Sequence, residues 1–123
     1  MDLNRITLIG RLTHEPKLKE FNKKKCCQLG VATNYQYRGA GSSESKEQPS
    51  YHNVIAWGRL AEICFTYLQK GRRVYVEGRL KYNKWKDKEE NLHIKTEIVA
   101  DNVIMLDSKN KEQEKIEIKE EVL

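Results

Sequence analysis

From Arg5 to Leu12 the chain alternates, placing Ile6, Leu8, Gly10 and Leu12 on one side and Arg5, Thr7, Ile9 and Arg11 on the other. A period of two predicts a strand with one buried face. Beyond His14-Glu15-Pro16, the cluster Asn22-Lys23-Lys24-Lys25 reads as an exposed turn. Cys27, Leu29, Val31 and Thr33 then resume the alternation and predict a second strand over Cys26 to Tyr35. Arg38 to Ser50 holds two glycines, four serines and Pro49 with hardly an apolar side chain, which predicts a long mobile loop. Tyr51 to Trp57 is the third predicted strand, with Val54 and Ala56 toward the core and Tyr51, Asn53, Ile55 and Trp57 on the other face.

The period then changes. Leu60, Ile63, Cys64, Tyr67 and Leu68 recur at helical spacing, so Arg59 to Gln69 is the single amphipathic helix, with Gly71 suited to its C-terminal cap. Arg72 to Trp85 returns to alternation, with Val74, Val76, Gly78 and Leu80 inward and Arg73, Tyr75, Glu77, Arg79, Lys81 and Trp85 outward. Lys86 to Asn91 is a polar hairpin turn. The last strand runs from Leu92 to Leu106 with a break at Asp101-Asn102. The order β-β-β-α-β-β predicts an all-β domain of the OB-fold class, a five-stranded Greek-key barrel with one α-helix between strands 3 and 4 and its binding face over the middle strands. Residues 1–106 form this domain in the reading, and residues 107–123 a short charged tail, disordered or weakly helical.

Charge adds a partner. The chain carries a net +5, and its last 17 residues hold six acidic and four basic side chains; removing their net −2 leaves +7 on the first 106 residues. A small basic domain is the electrostatic footprint of a nucleic-acid binder, although solubilising lysines give a similar count. Cys26, Cys27 and Cys64 read as small buried hydrophobes in a reducing compartment, and His14, His52 and His93 stand apart, so no metal or cofactor is expected. Glu62, Glu77 and Asp101 are scattered without a nucleophile–base pair, which argues against an enzyme. Without a signal-like N-terminus or an apolar run of about 20 residues, the expected location is the cytoplasm, without membrane contact.

A sequence-tolerant binder of unpaired DNA needs exposed rings for the base faces and cations for the phosphates. The middle strands and their loops supply Tyr37, Tyr51, Trp57 and Trp85 together with Arg11, Arg38, Arg59, Lys70, Lys81 and Lys84. Trp57 serves equally well as a core residue, and Tyr75, between Arg73 and Glu77, suits a subunit interface. Trp85, enclosed by Asn83-Lys84 and Lys86-Asp87-Lys88, is harder to place in a core.

Several ordered segments resemble one family. Asn4-Arg5-Ile6-Thr7-Leu8-Ile9-Gly10-Arg11-Leu12 with Pro16, Val31-Ala32-Thr33, and Tyr51-His52-Asn53-Val54-Ile55-Ala56-Trp57-Gly58-Arg59-Leu60-Ala61-Glu62 are similar to bacterial and mitochondrial single-stranded DNA-binding proteins. So are Tyr67-Leu68-Gln69-Lys70-Gly71, Val74-Tyr75-Val76-Glu77-Gly78-Arg79-Leu80 and Lys84-Trp85. The resemblance, over about residues 2 to 106, implies sequence-tolerant binding of single-stranded DNA in replication, recombination and repair. It also implies base stacking at Tyr37, Tyr51, Trp57 and Trp85, and a nucleoid-associated homotetramer whose subunits pair through strand 1, with His52 and Tyr75 near the contacts. The ending Lys119-Glu120-Glu121-Val122-Leu123 departs from the family's acidic, Phe-ended tip, which leaves recruitment of replication and repair enzymes through it open. A replication-restart adaptor, an RNA-binding module and a purely structural barrel are the competing readings.

Overall fold

The computed structural model describes residues 1–41 and 43–106 in full and residues 117–119 by their backbone pairing. Among the described residues, seven strands and one helix follow in the order β1 (Ile6–Leu12), β2 (Lys17–Phe21), β3 (Lys24–Arg38), β4 (Ser45–Trp57), α1 (Gly58–Tyr67), β5 (Arg73–Lys86), β6 (Leu92–Met105) and β7 (Glu117–Lys119). The sheet order is β1-β5-β6-β4-β3-β2, and β1 also pairs with β3 at Arg11 opposite Ala32 and Leu12 opposite Val31. This second pairing closes β1, β3, β4, β6 and β5 into the expected five-stranded barrel, with β4 and β6 running parallel at Val54–Ile98 and Ile55–Val99.

The alternating residues fill the barrel. Leu12, Cys27, Leu29, Val31, Val54, Ala56, Val74, Val76, Ile98, Ala100, Val103 and Met105 are buried together, and Leu60, Ala61, Cys64 and Leu68 cap one end from the helix side. All three cysteines are free and buried. Burial pushes the Cys27 thiol up to about 12 and raises that of Cys64 as well, so both remain neutral packing groups at physiological pH.

Two glycines permit closure. A Cβ on Gly10 would lie 2.3 Å from the Ala32 carbonyl oxygen where β1 crosses β3, and one on Gly78 would lie 2.1 Å from that of Val99. Gly78 also flanks a bulge: Glu77 pairs with Asn102 but Gly78 with Ala100, leaving Asp101 as the extra residue. Inward positions on β6 consequently switch from Ile98 and Ala100 to Val103 and Met105. This is the break expected at Asp101-Asn102.

The structure departs from the expected elements at several places. Residues 38–50 do not form a long loop. β3 and β4 continue past the barrel as an antiparallel arm, Tyr35 opposite Gln48 through Arg38 opposite Ser45, and the connection contracts to residues 39–44. Backbone pairing and the stacked Tyr35 and Tyr37 rings, 6.3 Å apart, organise the arm without an apolar face. Pro49 is tolerated because β4 meets β6 only at Val54 and Ile55, so at Pro49 it is an edge strand, where proline is accommodated.

The stretch before Phe21 is a strand, β2. Asn22 and Lys23 take positive φ values of 49° and 65°, turning the chain tightly enough to pair Phe21 with Lys24. The helix ends at Tyr67; the Leu68 N–H bonds the Cys64 carbonyl at 3.0 Å, Ala61 takes the inward place and Tyr67 is half exposed. Gly71, at φ 87°, does not cap the helix but turns the chain into β5, its N–H bonding Leu12 O at 2.8 Å. Within the tail, residues 117–119 pair with Asn102, Val103 and Ile104 of β6. The rest of the expected tail, residues 107–116 and 120–123, lies outside the described residues.

Candidate nucleic-acid interface

Strand alternation sorts the outer surface into rows. On β5 and β6 the outward pairs are Arg79–Val99, Lys81–Glu97, Asn83–Lys95 and Trp85–His93. On β3 and β4 they are Cys26–Trp57, Gln28–Ile55, Gly30–Asn53 and Ala32–Tyr51. The parallel Ile55–Val99 pairing joins the two rows into one curved face.

A cleft of about 350 Å³ opens there. Its floor is apolar, with Cys26 and Ile55 only 7% and 6% exposed beside Val99. Trp57 and Phe21 stand at its margin, and Phe21, 65% exposed, also lines an adjoining cleft with Asn22, Lys24 and Trp57. Lys19 and Lys81 bring positive charge to this cleft, while Gln28, Asn83 and Glu97 supply polar groups. Burial, with a smaller contribution from the Glu97 charge, raises the Cys26 thiol.

The face continues in both directions. Toward Tyr51, a polar groove is lined by His14, Lys17, Gln28, Asn53, Ile55 and Lys95. Trp57 and Tyr51 are six residues apart on β4, about 20 Å at the usual strand rise. Tyr51 then joins Arg11, Arg73, Asn34 and Pro49 in a further groove, where Arg11 Nη1 donates to Gly71 O at 3.2 Å. Toward the β5–β6 hairpin, Trp85 lies two outward positions beyond Lys81, with its ring against that of His93.

The expected site residues do not form one cluster. Trp57, Lys81 and Trp85 share the outer face, as do Tyr51 and Arg11 farther along it. Arg59 lies in the first turn of α1, next but one to Trp57. Tyr37 belongs to the other row of β3, continuing Val31 and Thr33 onto the arm, and Arg38 ends the arm opposite Ser45. Lys84 points to the opposite face of its hairpin from Trp85. Lys70 sits in the turn after α1, its backbone N–H donating to Glu15 Oε1 at 3.2 Å.

His52 and Tyr75 are also separated. His52 Nε2 is hydrogen-bonded to the Thr33 hydroxyl at 2.9 Å, in a crevice with Ile6 and Leu80. Tyr75, opposite Ile9 on the other side of β1, donates from its hydroxyl to Glu77 Oε2 at 2.7 Å. Arg5 Nη2 meets Glu77 Oε1 at 2.9 Å, and the hydrogen bonds from Tyr75 and Arg5 hold the Glu77 carboxyl below its usual range.

Sequence reasoning missed Phe21, Lys17, Lys19 and Lys95. The signal for Phe21 was an aromatic ring directly before a turn rich in Asn and Lys. The lysines gave none, because only the folded barrel places β2 and β6 beside the middle strands.

A sequence profile of the single-strand binding protein family matches residues 3–106. Single-stranded DNA-binding protein 1 of Chlorobaculum tepidum is 37% identical over 110 residues, covering 88% of this chain and 67% of its own. Among solved structures, a Plasmodium falciparum SSB in complex with single-stranded DNA superimposes with a TM-score of 0.79 at 34% identity, covering 87% of this chain and 97% of that one. A deletion mutant of the single-stranded DNA-binding protein from Thermus aquaticus gives 0.74 at 30% identity, over 87% of this chain and 52% of the other. The closed barrel, its helix position and these likenesses together place the chain in the single-strand binding protein family.

Proposed function

We propose that the protein binds single-stranded DNA along the outer face, with bases stacking on Trp57, Trp85 and Tyr51 and phosphates following the flanking lysines and arginines. The observation that carries this reading is the Trp57 cleft, whose aromatic margin, apolar floor and adjacent lysines lie in line with Trp85. Rings offer a surface to any base, while cations engage the uniform backbone, so the chemistry is tolerant of sequence. Arg38 extends the track onto the β3–β4 arm while Tyr37 faces the arm's other side, and Arg59, Lys70 and Lys84 add positive field at its margins. The role is protection and organisation of unpaired DNA during replication, recombination and repair, without catalysis, in the cytoplasm.

A homotetramer belongs to the same reading. Residues 6–10 of β1 pair with β5 on one side, while β3 joins β1 only at Arg11 and Leu12, so among the described residues their other edge carries no strand. Ile9 is half exposed on this strand. An open edge of this kind can pair with the same strand of a second subunit. Sedimentation tests the assembly, and a monomer at micromolar concentration removes it.

Tryptophan fluorescence tests the binding. Titration with oligo(dT) should quench emission strongly, and duplex of equal length should not, because its base faces are already stacked on one another. No change with either DNA rejects the proposal.

A further inference from the structure

The cleft beside Trp57 contains a group that a pure phosphate track does not need. Glu97 is a carboxylate only 9% exposed, on the outer side of β6 directly opposite Lys81. Asn83 Nδ2 donates to its Oε1, and both residues line the cleft with Trp57 and Phe21. A buried carboxylate repels a phosphate, so the backbone is steered toward Lys19 and Lys81 and the heterocycle toward the apolar floor. With Oε1 engaged by Asn83, Glu97 Oε2 and Asn83 Oδ1 remain as hydrogen-bond acceptors beside a stacked base.

We propose that Glu97 and Asn83 form a base-edge reader that gives this cleft a preference for cytosine over thymine or uracil. The inference builds on the single-strand binding reading above and adds selectivity to it. Cytosine presents an exocyclic N4 amino group, which donates to a carboxylate; uracil and thymine present the O4 acceptor at the same place, which the carboxylate repels. Trp57 and Phe21 supply stacking common to all bases, so discrimination falls to the pair at the cleft wall. Gln28, directly opposite Ile55 and across the floor, has an amide that can donate to the cytosine O2 or N3.

Competition between oligo(dC) and oligo(dU) of equal length at neutral pH tests this. The two differ only on the base edge and carry the same phosphates, so bulk electrostatics cancels from their affinity ratio. The wild-type protein should bind both, with oligo(dC) favoured by about fivefold to tenfold, the lower end for one discriminating contact. Glu97→Gln should bring the ratio close to one; removing a negative charge from a basic groove raises both affinities but cannot by itself change the ratio. Should Glu97→Gln fail to fold, wild-type protein with an oligomer of N4,N4-dimethyldeoxycytidine serves instead. Loss of the cytosine advantage there supports the reader, and retention overturns it. Equal affinities for oligo(dC) and oligo(dU) in the wild type, or an unchanged ratio in Glu97→Gln, overturn the inference while leaving single-strand binding standing. Failure to bind either oligomer overturns the underlying reading as well.

Discussion

His93 stacks on Trp85 across the β5–β6 hairpin, ring centroids 5.4 Å apart and planes 18° from parallel, while its Nε2 donates to Asp87 Oδ2 at 2.8 Å. The imidazole backs the indole, which remains about half exposed. Asp87 also accepts the backbone N–H groups of Glu89 and Asn91 at 2.9 Å each, so one carboxylate both shapes the turn and holds the ring that backs Trp85.

That arrangement has a pH signature. The His93 hydrogen bond, followed by backbone donation from Asn91, holds the Asp87 carboxyl below its ordinary 3.8. A carboxyl depressed in the folded state contributes order that is present above 3.8 and is lost as pH falls through the lower, folded value. The Glu89 and Asn91 amide resonances should therefore titrate with a midpoint below 3.8, and Asp87→Ala should abolish the titration. A midpoint at or above 3.8 contradicts the Asp87–His93 contact.

Trp57→Ala and Trp85→Ala should each weaken binding of single-stranded DNA by about 1–3 kcal/mol, the contribution of one stacked base. Fluorescence of the two single-tryptophan proteins also apportions the quenching between the cleft and the hairpin. Unchanged affinity in both variants would remove these rings from the interface.

Lys81 adjoins Glu97 and lines the cleft with Trp57. If it neutralises one phosphate, Lys81→Ala should reduce the slope of log affinity against log salt by about 0.7. Affinity for dC and dU oligomers should fall together. An unaltered slope removes Lys81 from the phosphate track.

Closure of the barrel depends on backbone proximity at Gly78. Gly78→Ala places a methyl against Val99 O and should destabilise the fold by about 1–3 kcal/mol in urea unfolding. Gly39→Ala is the matched control, because no atom lies within 4 Å of a Cβ there; its effect should stay within about 0.5 kcal/mol. Through the unfolded state alone a Gly→Ala change stabilises the fold, so equal effects in the two variants would remove the steric role of Gly78.

The barrel was legible in the sequence because each of its strands buries one row of side chains, so Ile6, Leu29, Val54, Val76 and Ile98 announce themselves by period. The arm was not. Ser45 to Ser50 buries nothing, and its order comes from backbone pairing with Thr33 to Arg38, which side-chain periodicity does not record. Trp57, Trp85 and Lys81 were readable as rings and cations near strands, but Tyr37 was grouped with them although its row parity places it on the opposite side of β3. Glu97 gave no signal, since its proximity to Trp57 exists only after β6 has crossed to lie parallel to β4.

The extra residue at Asp101 marks where a paired strand tolerates a change of length. Its removal would set Asn102 directly after Ala100, still opposite Glu77, restoring strict alternation while Val103 and Met105 stay inward; only the local bend would be lost. An insertion or deletion without a bulge elsewhere in the paired strands instead rotates every following position by half a period and turns a buried row to water. Other changes of length fall to the turns, such as those at residues 39–44 and 87–91, where added residues leave the barrel undisturbed.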